Sequence, residues 1–267
     1  MRAVTLGQYV PGDTFLHRLD ARTKLAGTAL VIAALFLTAS PAVYAAVALL
    51  LLAGSAAARA RAASLWRGLR PIVALVLITS VINAVSVPGE AWLHLGPLTL
   101  TRAGLAVAAV LGARLLLLVW ATTLLTLTTS PLALTDALER LLAPLGRVRF
   151  PVHELALMMS IALRFIPTIF DEADRIMKAQ ASRGADFESG SLWRRARALV
   201  PVLVPLFVAA FRRAEDLALA MEARGYAGGE GRTRYRETRM AARDWAVLAL
   251  LAALAAWAVG LAVARAG

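Results

Sequence analysis

The chain contains no cysteine among its 267 residues. That excludes a disulfide framework and a thiolate zinc site, and it removes redox chemistry as a clue to compartment. His17, His94 and His153 are the only histidines and are too scattered to form ligand spacing. No G-x-x-x-x-G-K-S/T segment is present, so the chain has no loop of that kind to cradle ATP phosphates. No Ser-His-Asp or paired-carboxylate arrangement can be argued from position, so neither catalysis, a metal nor a bound cofactor is expected. Acidic residues are in deficit, 17 against 29 basic, for a net charge of +12. Recognition helices, zinc fingers and aromatic platforms are missing, which directs that charge away from nucleic acid.

What is present is apolar length. The chain is 60% hydrophobic with a mean hydropathy of +0.69. With basic loops, this composition points to a polytopic membrane protein. Arginine supplies nearly all the positive charge, with Lys24 and Lys178 the only lysines, as in GC-rich bacterial genomes. The N-terminus does not read as a cleaved secretory signal, because mostly polar residues precede the first apolar run and Pro41 follows Ala39-Ser40. A spanning helix needs about 20 apolar residues. Five windows qualify: Lys24–Ser40, Pro41–Ala58, Pro71–Val87, Ala103–Leu127 and Trp245–Ala264. The first is short and relies on Lys24 snorkelling to the interface.

The loops set an orientation. Arg2, Arg18, Arg22 and Lys24 precede the first span, and Arg59, Arg61, Arg67 and Arg70 join the second to the third. The stretch from Ser130 to Arg243 holds more than half of all basic residues, whereas Pro88–Thr101 carries only Glu90. Five spans place every basic segment on one face. The positive-inside rule makes that face cytoplasmic, with the N-terminus inside and the C-terminus outside a bacterial inner membrane. Leu155–Leu163, stopped by Arg164, and Ala198–Phe211, with Pro201 and Pro205 inside it, are too short to span and read as interfacial or protein-buried. The expected fold is therefore all-α and integral to the membrane. Residues 1–129 form the N-terminal arm and four spans, 130–243 a cytoplasmic helical domain, and 244–267 a last span.

Within 130–243, Pro131–Pro144 reads as a short amphipathic helix with Leu134, Leu138, Leu141 and Leu142 on one stripe. Two long helical regions follow, the first from Pro151 past a kink at Pro167, the second kinked at Pro201 and Pro205. Gly190 is the expected hinge of the loop between them. Gly228-Gly229-Glu230-Gly231 reads as a flexible break. After it, Arg232, Arg234, Arg236, Arg239 and Arg243 suit attraction to anionic lipid headgroups. Inside the fourth span, Arg114 is a costly mid-membrane charge and thus a functional candidate, for a substrate path or a partner groove. The alternatives are an Arg bonded to carbonyls or to Asn83 within the bundle, or one that snorkels.

The two long regions end alike. Asp174 to Gly184 and Glu215 to Gly225 align, with Phe170 matching Phe211 and Ala179 matching Ala220, and close on Ser182-Arg183-Gly184 and Ala223-Arg224-Gly225. Glycine accepts the left-handed turn that closes a helix, so each segment is expected to present one Arg at its C-terminal tip. A cation there also gains from the helix dipole, which is the bland account. Two such tips suggest a bivalent handle for a partner, with Arg suited to bidentate bonding.

Gly7-Gln8-Tyr9-Val10-Pro11-Gly12-Asp13-Thr14-Phe15-Leu16-His17-Arg18-Leu19-Asp20-Ala21-Arg22-Thr23-Lys24-Leu25 resembles the N-terminal signature of the transmembrane T component of energy-coupling factor (ECF) transporters. The paired small-Arg-Gly endings resemble the same family's coupling-helix motifs, and the likeness covers essentially the whole chain. It departs at Ala21, where Pro is usual, and at Ser182, where Ala is usual. The resemblance implies a scaffold whose Arg183 and Arg224 enter grooves on two ATP-binding-cassette (ABC) ATPases, which alone bind and hydrolyse ATP. Its apolar cytoplasmic helices would hold a separate substrate-binding membrane subunit, toppled as the ATPases close. A T component dedicated to cobalt, nickel or biotin remains an alternative, as do a stand-alone secondary transporter using Arg114 and a non-transport scaffold.

Overall fold

The computed structural model describes residues 9–95, 98–144, 151–187, 189, 191–226, 228 and 240–266. In chain order these form α1 (Ala21–Leu37), α2 (Pro41–Ala57), α3 (Ala62–Ser86), β1 (Ala91–Leu95), β2 (Leu98–Thr101), α4 (Arg102–Thr128), α5 (Pro131–Leu142), α6 (Val152–Ser182), α7 (Leu192–Ala223) and α8 (Ala242–Ala266). The protein is a helical membrane protein. It divides into two compact units, one made of Gly7–Ala137 with Glu237–Gly267, the other centred on Leu138–Arg236.

In the first unit, local chemistry sets several helix starts. Asp20 caps α1 by accepting the Arg22 amide at 2.9 Å, and Pro41 opens α2 at a position where its missing N–H is no loss. Thr101 caps α4, accepting the Gly104 amide at 3.0 Å. The core is gathered by α1, α2, α4 and α8 around Leu35, Val43, Val47, Leu51, Leu124 and Leu251. Glycines let helices approach: a Cβ on Gly27 would lie 2.5 Å from Leu251, and one on Gly104 2.7 Å from the Asn83 and Ala84 carbonyls. Residues Trp66, Leu75, Leu77, Ile78, Val81 and Ile82 of α3 stay exposed on an apolar helix, as expected where the surrounding solvent is lipid.

Helices occupy all five expected span positions, with two adjustments. α3 begins at Ala62 rather than Pro71, and Pro71 lies inside it. Hydropathy marks where a helix meets lipid, whereas hydrogen bonding carries it on through the basic turns around Arg67 and Arg70. α1 and α2 have 17 residues each. By length and composition alone α3, α4, α6 and α8 can cross a membrane, so α6, whose apolar run Leu155–Leu163 reads from sequence as too short to span, qualifies as well. An antiparallel hairpin also departs from a purely helical reading: Leu93 pairs with Leu100, His94 with Thr99 and Leu95 with Leu98. Gln8, Gly190, Gly229 to Gly231 and Arg232, Arg234, Arg236 and Arg239 lie outside the described residues.

Candidate functional site

The two helix endings are built alike. Gly184 has φ +89° and Gly225 φ +70°, both in the left-handed region that favours glycine. Behind Gly184, the Ala185 amide donates to the Gln180 carbonyl and the Gly184 amide to Ala181, each at 3.0 Å. Behind Gly225, the Tyr226 amide donates to Met221 at 3.0 Å and the Gly225 amide to Glu222 at 2.8 Å. These are paired Schellman closures, with Arg183 and Arg224 each one residue before the glycine. Both arginines are exposed, and neither guanidinium has a hydrogen-bond or ion-pair partner among the described residues. Ser182 spends its hydroxyl on the Lys178 carbonyl at 3.0 Å, so replacing the usual Ala leaves the tip's outline unchanged.

α6 and α7 touch at two levels. Arg213 reaches Glu172 at 3.8 Å, and Gln180 Nε2 donates to the Pro201 carbonyl at 3.4 Å. The later α7 residue meets the earlier α6 residue, so the helices run antiparallel and their tips point apart. At about 1.5 Å per residue the separation of the two arginines is at most about 40 Å. The Pro201 carbonyl needs an outside donor for a plain reason: its intrahelical partner would be the amide of residue 205, and Pro205 has none. Gln180, in the last turn before Arg183, supplies that donor. Sequence reading missed Gln180, although two prolines four apart announce an orphan carbonyl.

The N-terminal signature is a fastening. Thr14 Oγ1 and His17 Nδ1 lie 2.7 Å apart, and His17 Nε2 is 3.1 Å from the Val10 carbonyl. Gly12 lies against that ring, where a Cβ would be 3.0 Å away. Arg18 grips Asp13 through two bonds of 2.8 and 2.7 Å, which hold the Asp13 carboxyl below and the Arg18 guanidinium above their ordinary pKa. Leu19 is buried. Lys24 Nζ donates to the Thr128 carbonyl at 2.9 Å, at the C-terminal end of α4. The expected snorkelling is therefore replaced by an internal bond, because the negative end of α4 offers the ammonium a better partner. Asp244, buried in the first turn of α8, accepts the Asp20 amide at 2.8 Å and the Ala241 amide at 2.9 Å. Arg243 donates to the Arg18 carbonyl at 2.7 Å. The arm, α1, α4 and α8 are thus tied at one end of the bundle. Ala21, the first residue of α1, sits where Pro is also favoured, so that departure is conservative. Pro11 and Arg22 belong to the same segment, and Arg22 meets Asp20 at 3.3 Å.

Arg114 and Asn83 are not brought together. Asn83 donates to the Thr79 carbonyl at 2.8 Å within its own helix. Arg114 instead donates Nε–H to the Tyr44 hydroxyl at 3.0 Å, and its Cζ lies 5.3 Å from the Phe36 ring centroid. Aromatic residues of α1 and α2, not an amide of α3, are the partners that sequence reading overlooked. Among the described residues no group of three or more His, Cys, Asp or Glu could hold a metal ion.

Known proteins resemble this chain along nearly its whole length. The family model for CbiQ, described as cobalt transport protein, matches residues 12–235. A protein of Thermosediminibacter oceani is 49% identical over 265 residues, covering 99% of each chain. One from Thermanaerovibrio acidaminovorans is 51% identical over 248 residues, covering 93% of this chain and 92% of its own. One from Bacillus subtilis is 46% identical over 257 residues, covering 96% and 97%. Each of the three is named energy-coupling factor transporter transmembrane protein EcfT.

Proposed function

The chain belongs to the CbiQ family and is a multi-pass transmembrane component of the energy-coupling factor type, and from that premise we propose that it is the non-catalytic scaffold of an ATP-driven micronutrient importer. Two ABC ATPases bind Arg183 and Arg224 from the cytoplasm. Each guanidinium enters a groove of one ATPase, and α6 and α7 carry the relative motion of the ATPases to a substrate-binding membrane subunit. The exposed apolar stretch of α7, including Leu203, Val204, Phe207 and Phe211, supplies a surface for that subunit. ATP is bound and hydrolysed by the partners. The N-terminus faces the cytoplasm and the C-terminus the outside of the bacterial cell membrane. The single observation that carries this reading is the pair of Schellman-closed helices, each offering an exposed and unpartnered arginine.

The test is Arg183→Glu together with Arg224→Glu. The expected result is loss of ATPase co-purification while the membrane protein keeps its thermal unfolding profile. Association that survives the double reversal removes the role assigned to the tips. The family's description as a cobalt transport protein favours a second reading, a T component dedicated to cobalt or a similar substrate. A gene neighbourhood holding a dedicated substrate subunit supports that reading, and a lone locus with two ATPases supports the shared form.

A further inference from the structure

We propose that Arg114, with Tyr44 and Phe36, forms a binding site for the phosphate of an anionic phospholipid, in the leaflet opposite Lys24. Arginine carries five N–H bonds. Nε–H goes to Tyr44, whose hydroxyl in turn donates to the Leu35 carbonyl at 3.3 Å. The other four N–H bonds have no acceptor among the described residues, although Arg114 is partly exposed. A guanidinium left that way in hydrocarbon is costly, so its free edge calls for an anionic oxygen acceptor.

The helices also place that edge at a headgroup. Lys24 and Thr128 mark one end of the bundle. From Lys24 to the turn at Thr38 is about 21 Å along α1, and from Thr128 back to Arg114 is also about 21 Å along α4. Arg114 is therefore level with the α1–α2 turn, where Thr38 and Ser40 interrupt the apolar sequence. α4 continues about 18 Å beyond it to Arg102. The short α1–α2 pair leaves a step beside the longer α3–α4 pair, and hydrocarbon about 30 Å thick must thin to meet it. Side chains on a helix lean toward its N-terminus, and the N-terminus of α4 lies on the far side of the step. Its contacts with Phe36 and Tyr44 hold the Arg114 guanidinium within about one turn of that step. Phe36, 62% exposed, stacks on the guanidinium and leaves its remaining surface for an acyl chain.

The phosphate chemistry has two sources, a lipid or free phosphate, and the experiment separates them. The full chain is reconstituted in nanodiscs of equimolar phosphatidylglycerol and phosphatidylcholine, then extracted into mild detergent, and retained lipid is counted by native mass spectrometry. The wild type is expected to retain phosphatidylglycerol over phosphatidylcholine. Arg114→Met should lower that excess about fivefold, the worth of one basic contact at a charged membrane surface. Arg114→Lys should keep part of it, and Tyr44→Phe should reduce it by freeing the guanidinium from its anchor. If Arg114→Met does not fold, the Lys and Phe variants carry the test. Millimolar inorganic phosphate should leave the retained lipid in place. An absent excess in the wild type, an excess unchanged across the variants, or displacement by inorganic phosphate overturns the proposal.

Discussion

Replacing the closing glycines isolates the backbone contribution to the tips. A Cβ at Gly184 or Gly225 would meet nothing within 4 Å, so packing cannot be the reason a side chain is resisted there. What remains is the dihedral angle, φ +89° and +70°. Holding a residue with a Cβ in that region costs roughly 1–2 kcal/mol. Asparagine tolerates it better, and a β-branched residue tolerates it worse. The cost falls on the helix closure, so the open form gains by a factor of about 5–30 for alanine. Hydrogen exchange reads that directly at the Ala185 and Tyr226 amides, which donate the closing bonds to Gln180 and Met221. The expected order of protection is Gly, then Asn, then Ala, then Val, at each tip independently. ATPase affinity should fall in the same order, by less than the loss from reversing the arginine charge. Equal protection for Asn and Ala, or no loss for Val, would refute the assignment of these positions to strained closures.

Three further outcomes follow from individual contacts. Asp244→Ala leaves the Asp20 and Ala241 amides without their buried acceptor, at about 1–3 kcal/mol each, and should lower the thermal midpoint in detergent far more than Asp13→Asn at the exposed ion pair. Gly27→Ala should destabilise by less than the about 1–3 kcal/mol of ordinary overpacking, because only the Leu251 Cδ1 end blocks the new methyl group and helix propensity returns about 1 kcal/mol, and Leu251→Ala in the same chain should recover the loss in a double-mutant cycle. The Asp13 carboxyl is held low by Arg18, first through their hydrogen bonds and then through charge, so the ion pair favours the folded arm above the ordinary aspartate range and is lost as pH falls through the lowered value. Arg18→Gln should therefore raise the Asp13 midpoint, followed by carboxyl NMR, toward the ordinary aspartate range.

The helices and their Arg-Gly endings were legible because their causes are local. Apolar run length, prolines at helix starts and glycine after the last turn each act within a few residues of where they are read. The β1–β2 hairpin had a local cause too, since Leu93, Leu95, Leu98 and Leu100 alternate with other residues, but a search for spans passes over so short a pattern. The ties at Asp244, Thr128 and Tyr44 were hidden for another reason. Asp244 meets Asp20 across 224 residues, and Lys24 meets Thr128 across 104, so nothing near either residue announces the pair. The N-terminal segment was recognisable as a motif, yet its physical role as a fastening of three helices depends on those distant partners. Pro205 shows the intermediate case. Its missing amide predicts a free carbonyl at Pro201, while only the antiparallel course of α6 brings Gln180 to it.

That antiparallel course also bears on which helices cross the bilayer. α6 is long and apolar enough by composition, at 31 residues. Were it to cross, its contacts at Glu172–Arg213 and Gln180–Pro201 would send α7 back along it. The apolar part of α7, Ala198–Phe211, is about 21 Å long at 1.5 Å per residue, short of hydrocarbon about 30 Å thick. Arg195 and Arg197 precede it, and Arg212, Arg213, Glu215 and Asp216 follow, so a returning α7 would draw charges into lipid at about 2.5–3.5 kcal/mol for each one near the centre. Two helices that stay on one side avoid that cost and keep Arg183 and Arg224 on a common face. The absence of cysteine makes this directly testable, since any introduced thiol is the only one to react. Ser182→Cys and Ala223→Cys should both resist an impermeant maleimide added outside intact cells and both react after permeabilisation. Trp92→Cys, at an exposed position, should react from outside. Outside labelling at 182 without labelling at 223 would put the two tips on opposite faces, and a device that grips two cytoplasmic ATPases at once could not be built that way.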